Sequence, residues 1–186
     1  IKFKKMKKIL LTGATGFIGS NIYKDLSKNY KVYCILRSKK NIYRNKNIEI
    51  IFYSSLKNLK KKIEKIKFFS IIHCATHYKK NHTYEDINKM IDSNINLGNL
   101  ILENKNIIYC KKFINFTTVW ENYNGIKNNP YNLYAAYKLS FSNIINFYKK
   151  KYRNIKFYNL YLSETFGQND KRKKLFNTIK ENYQKK

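Results

Sequence analysis

Leu10-Leu11-Thr12-Gly13-Ala14-Thr15-Gly16-Phe17-Ile18-Gly19-Ser20 is the stretch that decides the fold of this 186-residue chain. Ile9 to Leu11 is a short apolar run of the kind that forms a buried parallel strand. Three glycines follow at spacings of three, and then the amphipathic segment Phe17 to Lys28. Gly13, Gly16 and Gly19 each suit a task that a side chain would obstruct. These tasks are a tight turn out of the strand, close approach of backbone to a pyrophosphate, and close packing of helix on sheet. A helix starting here also turns free N–H groups and the positive end of its dipole toward phosphates. The spacing is GxxGxxG rather than GxGxxG. With a strand before it and a helix after it, the turn predicts a dinucleotide-binding site.

Working outward, the apolar runs alternate with helical patterns. Strands are predicted over Lys8–Thr12, Lys31–Leu36, Ile48–Tyr53, Phe69–Ala75, Lys112–Thr118 and Ile155–Leu160, with helices between them. Such alternation gives βαβ units, and right-handed crossovers then give a Rossmann-type, doubly wound α/β sheet of about six parallel strands. Thr83 and Asp86 form a capping pair ahead of the helical period Ile87, Met90, Ile91, Ile95. Pro130 is placed to start the helix that follows. One Pro and six Gly leave no linker or repeat, so a single domain is expected over residues 1–186, with residues 1–5 as a lead outside it and Met6 as the expected natural start.

That later helix carries Tyr134-x-x-x-Lys138. Positions four apart share a helix face, so the phenol and the ammonium can meet in one site. A free tyrosine has a pKa of about 10, too high for a general base near neutrality. A fixed positive charge beside it favours the phenolate and brings the group into working range. The pair alone is weak in a chain with 17 Tyr, where a solvated helix face is the plain alternative. Together with the glycine turn it reads as an acid/base site.

The bulk composition limits other readings. The 39 Lys and Arg against 11 Asp and Glu give a formal charge of +28, which invites a nucleic-acid partner. The cations are almost all Lys and are scattered through every segment, as are Asn, Ile and Tyr. That is the pattern of a composition bias rather than of a binding face, and no specific nucleic-acid partner is expected. Cys34, Cys74 and Cys110 are isolated; Cys34 and Cys74 sit in apolar strand runs and read as small core residues, and a reducing, cytoplasmic setting is expected. No run of 18 apolar residues is present, so no membrane span is expected. His73, His77 and His82 lack metal-ligand spacing, and no metal site is assigned.

The chain resembles the extended short-chain dehydrogenase/reductases, in particular the nucleotide-sugar epimerases, dehydratases and 4-keto-reductases of the NAD-dependent epimerase/dehydratase family. The matching segments are Thr12 to Gly19, Ile71 to Ala75, Asn94 to Leu100, Phe113 to Thr118 and Tyr134 to Lys138, in family order. Asn132 to Phe141 and Asp170 to Leu175 look most like the branch of CDP-dideoxyhexose synthases. The resemblance implies cofactor contacts from Gly13, Thr15, Gly16, Phe17, Ile18 and Gly19, and from Ala75, Asn94, Thr117 and Lys138. It implies Tyr134, Lys138 and Thr118 as catalytic residues, with His73 structural. NAD-preferring relatives carry an acidic residue after the second strand. Arg37 and Ser38 stand there instead, which favours NADP(H) over NAD(H). Where an Asp is usual near the adenine, Tyr53-Ser54-Ser55 occurs.

The first functional reading is therefore hydride transfer at a hexose carbon of a nucleotide sugar, with a homodimer as the assembly of the full-length form. Family members are longer, which implies that most of a C-terminal substrate region is missing and that Leu175 and Ile179 form an exposed apolar edge. Two rivals are a non-catalytic dinucleotide-binding domain and a basic nucleic-acid-binding module.

Overall fold

The computed structural model describes residues 6–38, 42–167, 170, 178–179 and 182–183. Residues 1–5 and the segment 171–175, including Leu175, lie outside the described residues. Six strands are present among the described residues: β1 (Lys8–Thr12), β2 (Lys31–Leu36), β3 (Ile48–Phe52), β4 (Ser70–His73), β5 (Lys112–Thr118) and β6 (Lys156–Leu162). They pair in parallel in the order β3-β2-β1-β4-β5-β6. The order reverses beside β1, which opens a crevice at the carboxyl ends of β1 and β4.

The helices are α1 (Phe17–Leu26), α2 (Leu56–Ile63), α3 (Tyr84–Ile91), α4 (Leu97–Leu102) and α5 (Leu133–Lys151). Alternation along the strands divides the core in two. Ile9, Leu11, Val32, Cys34 and Ile72 pack with Tyr23 of α1 on one face. Leu10, Ile35, Ile71 and Phe113 pack with α2, α4 and α5 on the other. The α1 face is open over the far edge of the sheet, where Tyr158 and Leu160 of β6 are exposed. Ile179 is exposed as well.

Three expectations are corrected. The β2–β3 connection contains no helix among its described residues 37–38 and 42–47. Pro130 does not start α5. Asn132 caps it, its side-chain oxygen accepting from the Ala135 backbone N–H at 2.9 Å and satisfying a donor of the first turn. The helical period around Ile95 is interrupted by a π-helical turn, Asp92–Asn96, which joins α3 to α4. Within it the Asn94 side-chain amide donates to the Met90 carbonyl at 2.9 Å, competing with the backbone for that acceptor. At the start of α3, the Thr83 backbone N–H donates to the Asp86 carboxylate at 3.3 Å, the capping pair read from the sequence.

Candidate active site

The glycine turn combines three different constraints. Gly13 leaves β1 with a φ of 72°, and a Cβ there would lie 2.7 Å from the Ala75 nitrogen. Gly19 lies where α1 meets that turn; a Cβ would come within 2.2 Å of the Gly13 carbonyl oxygen. Gly16 is different. Its Cβ would meet only that same oxygen, at 3.3 Å, and the residue borders an open cleft.

The cleft has a volume of about 220 Å³ and runs along the carboxyl ends of β1, β2 and β4. Gly13, Thr15, Gly16, Arg37, Ser38 and Ala75 of the expected cofactor residues line it. Phe17, Ile18, Gly19, Asn94, Thr117 and Lys138 lie outside its lining. Cys74, expected in the core, is half-buried and also borders the cleft. A smaller hollow of about 170 Å³ continues past Arg37, bounded by Tyr53, Ser54, Ser55 and Asp92. Tyr53 borders both spaces.

Beneath the cleft a buried polar chain sets the end of β4. The Ala75 backbone N–H donates to Thr12 Oγ1 at 3.0 Å, and Thr12 Oγ1 lies 2.9 Å from His73 Nδ1. His73 Nε2, on the other side of the ring, is buried with no hydrogen-bond partner among the described residues. His73 is fully buried between the rings of Phe113 and Phe141, and burial pushes its pKa down to about 3. This neutral, packed imidazole fits the structural role that the resemblance implied.

Asn94 acts on the cleft through the loop after β4. Its side-chain oxygen accepts from Thr76 Oγ1 at 2.5 Å, and its amide donates to the His77 carbonyl at 3.1 Å. Thr76 borders the cleft and stands close enough to the Tyr134 phenol to act on its pKa, while Tyr78 packs edge-on to the Tyr134 ring at 5.2 Å. Burial raises the Tyr134 pKa above its ordinary value, with Thr76 opposing.

Lys138, one turn along α5, is buried, and its pKa is lowered to about 8 by that burial. Its charge is felt by Glu121, Cys74 and His73. The direct Lys138-to-Tyr134 effect expected from their spacing is thus not the main electrostatic feature of this arrangement. Thr117 and Thr118, at the end of β5, are both buried. Thr117 Oγ1 donates to the Glu121 carboxylate, while Thr118 Oγ1 accepts from the Trp120 backbone N–H at 3.2 Å.

Sequence reasoning missed Glu121 and Thr76. Glu121 follows β5 in an irregular turn, and no local spacing ties it to Lys138 seventeen residues on. One usable signal was the third member of the α5 row, since Ser142 continues Tyr134 and Lys138 at the same spacing of four and reaches the same carboxylate at 3.0 Å.

The family model for the NAD dependent epimerase/dehydratase family matches residues 9–186. The chain belongs to that family. CDP-abequose synthase from Salmonella muenchen is 29% identical over 174 residues, covering 91% of this chain and 57% of that enzyme. The CDP-abequose synthase of Yersinia pseudotuberculosis is 31% identical over 180 residues, covering 92% and 60% respectively. The chain therefore spans somewhat over half the length of these curated relatives.

Among solved structures, a UDP-glucuronic acid 4-epimerase variant from Bacillus cereus, in complex with a fluorinated UDP-sugar and NAD, superposes with a TM-score of 0.78 at 23% identity. That match covers 96% of this chain and 64% of the epimerase. The Bordetella bronchiseptica enzyme WbmH, in complex with NAD+, gives 0.72 at 19% identity, covering 97% and 64%. These structures share the fold. No helix among the described residues is long and apolar enough to cross a membrane.

Proposed function

We propose that the cleft binds a nicotinamide dinucleotide, NADP(H) in preference to NAD(H), and that the site transfers hydride and proton at a hexose carried by a nucleotide. The observation that carries this reading is the continuity from Gly16 to Tyr134. Gly16 leaves a side-chain-free gap at the amino end of α1, and Thr76 links the same cleft to the phenol of Tyr134. The residues present suit the group, because backbone N–H groups and a helix terminus receive a pyrophosphate and need no neighbouring Cβ.

When bound, the dinucleotide supplies hydride exchange. Gly13, Thr15 and Gly16 hold its pyrophosphate. Arg37 pairs with a 2′-phosphate at the end of β2, and Ser38 adds a hydroxyl. Lys138 holds the nicotinamide ribose and keeps positive charge near Tyr134. Tyr134 exchanges a proton with the sugar hydroxyl, Thr118 orients the reacting oxygen, and Thr117 lies nearer the nicotinamide. Free Cys34, Cys74 and Cys110 fit a reducing, cytoplasmic setting. The similarity to CDP-abequose synthases makes CDP-linked sugars the first substrates to test.

Tyr134→Phe is the test of the chemistry. Made in the full-length form, it removes one hydroxyl from a packed ring, so cofactor affinity is retained while turnover of the nucleotide sugar falls about 10²- to 10⁴-fold. A loss below tenfold would assign the proton to another donor.

A further inference from the structure

The α5 face that carries Tyr134 and Lys138 continues to Ser142, and a carboxylate is buried behind it. Glu121 is 1% exposed, although the turn that holds it lies at the protein surface. Its Oε1 accepts from both Thr117 Oγ1 and Ser142 Oγ. It is also the carboxylate whose charge reaches Lys138. An ionised carboxyl in such a place is costly unless it is hydrogen-bonded and near a cation; Glu121 has two hydroxyl donors, and one of them, Ser142, stands one turn from Lys138 on the same face of α5.

We propose that Glu121, which lies outside the cleft lining, is a positioning residue of this site, holding Lys138 in its ammonium form and fixing the Thr117 hydroxyl. The proposal rests on the function given above for its catalytic meaning, but the Glu121–Lys138 coupling is a property of the chain alone.

The geometry divides the work. Lys138 is enclosed, and burial favours its neutral amine; a neutral amine would give Tyr134 and a ribose no positive charge. The groups facing it are His73 at the end of β4, Cys74 just after it, and Glu121 from the turn after β5. His73 is neutral, and burial lifts the Cys74 thiol to about 12, so neither supplies a negative charge near neutral pH. Glu121 supplies it. Around Glu121 itself stand Lys138 and Tyr134 from α5 and Tyr161 from β6. Lys127 and Lys149 border the polar hollow behind it. Burial raises the Glu121 pKa, while the Thr117 and Ser142 hydrogen bonds and the charge of Lys138 oppose that shift.

The sign of the pH effect follows. Lys138 has a lower pKa folded than unfolded, so its contribution to stability rises with pH from about 8 upward, where the native amine is neutral and the unfolded one still protonated. Glu121→Gln removes the opposing charge and lowers the Lys138 pKa further. Urea unfolding of the cofactor-free chain from pH 6 to 10 reads this directly. The rising limb of Glu121→Gln is expected to begin about 1 pH unit below that of the wild type, and that of Ser142→Ala to shift the same way by less. Glu121→Asp restores part of the difference.

An unshifted limb in Glu121→Gln overturns the proposal. Should that variant fail to fold, an unshifted limb in Ser142→Ala overturns it equally. NADPH titration of the same proteins across this range separates the two readings. A shifted limb with a matching loss of affinity at alkaline pH supports both. A shifted limb in a chain that binds no cofactor at any pH retains the Glu121–Lys138 coupling and refutes the dinucleotide function. A shifted limb with an affinity that does not follow it removes Glu121 from cofactor positioning.

Discussion

Gly16→Ala and Gly19→Ala place the same methyl group three residues apart, and the structure assigns them opposite outcomes. At Gly19 the new Cβ lies 2.2 Å from the Gly13 carbonyl oxygen, 2.7 Å from the Gly13 carbonyl carbon and 3.0 Å from Ala14 Cα. All three atoms are backbone, and Gly13 is itself wedged against the Ala75 nitrogen, so no side-chain rotation relieves the contact. Helix α1 must move off the turn. Replacing Gly by Ala inside a helix returns about 1 kcal/mol of propensity, whereas overpacking typically costs about 1–3 kcal/mol and more when only backbone can yield. Gly19→Ala is therefore destabilising.

At Gly16 the nearest atom is 3.3 Å away, and the residue caps α1 with φ −80° and ψ 167°, angles that alanine adopts freely. The weaker cap and the less flexible unfolded chain nearly cancel, leaving stability within about 0.5 kcal/mol of wild type. The methyl instead projects where the pyrophosphate must approach, and affinity for NADPH falls by about tenfold or more, equivalent to about 1.4 kcal/mol. Urea unfolding followed by circular dichroism, with NADPH fluorescence titration of each folded variant, measures both effects. A Gly19→Ala protein as stable as wild type, or a Gly16→Ala protein with unchanged affinity, would refute the roles given to these glycines.

Arg37→Asp is expected to reverse the cofactor order, since a carboxylate repels a 2′-phosphate that the guanidinium attracts; parallel NADPH and NADH titrations giving an unchanged ratio would leave Arg37 as a surface residue. His73 predicts an acid sensitivity. Its folded pKa of about 3 lies below the ordinary 6.5, so the unfolded chain takes up a proton that the native state refuses. Its contribution is complete above pH 6.5 and is lost by about 1.4 kcal/mol per unit as pH falls toward 3. His73→Asn should flatten that component in urea unfolding at pH 7, 6 and 5; equal slopes in the two proteins would contradict it.

Much of the frame was legible because local pattern and tertiary environment agree. The bounds of β1, β2 and β5 are those read from the apolar runs. Strand β4 stops at His73 rather than Ala75 because Cys74 and Ala75 turn to border the cleft and receive Gly13. The capping of α5 was misplaced because Pro130 is the louder local signal, yet Asn132 supplies the acceptor that the first turn needs. The site was half legible. Six of the expected cofactor residues meet in one cleft, and Tyr134 is joined to it through Thr76. Glu121 was hidden because its partners come from β5 and α5, so its role depends on a packing of distant elements that no local spacing encodes.

The central claim is that the cleft opened by Gly16 is a nicotinamide dinucleotide site, and calorimetric titration of the wild-type chain with NADPH and with NADH tests it most directly. The account predicts one saturable site per chain, with NADPH the tighter ligand. Absence of saturable binding by either dinucleotide would contradict it.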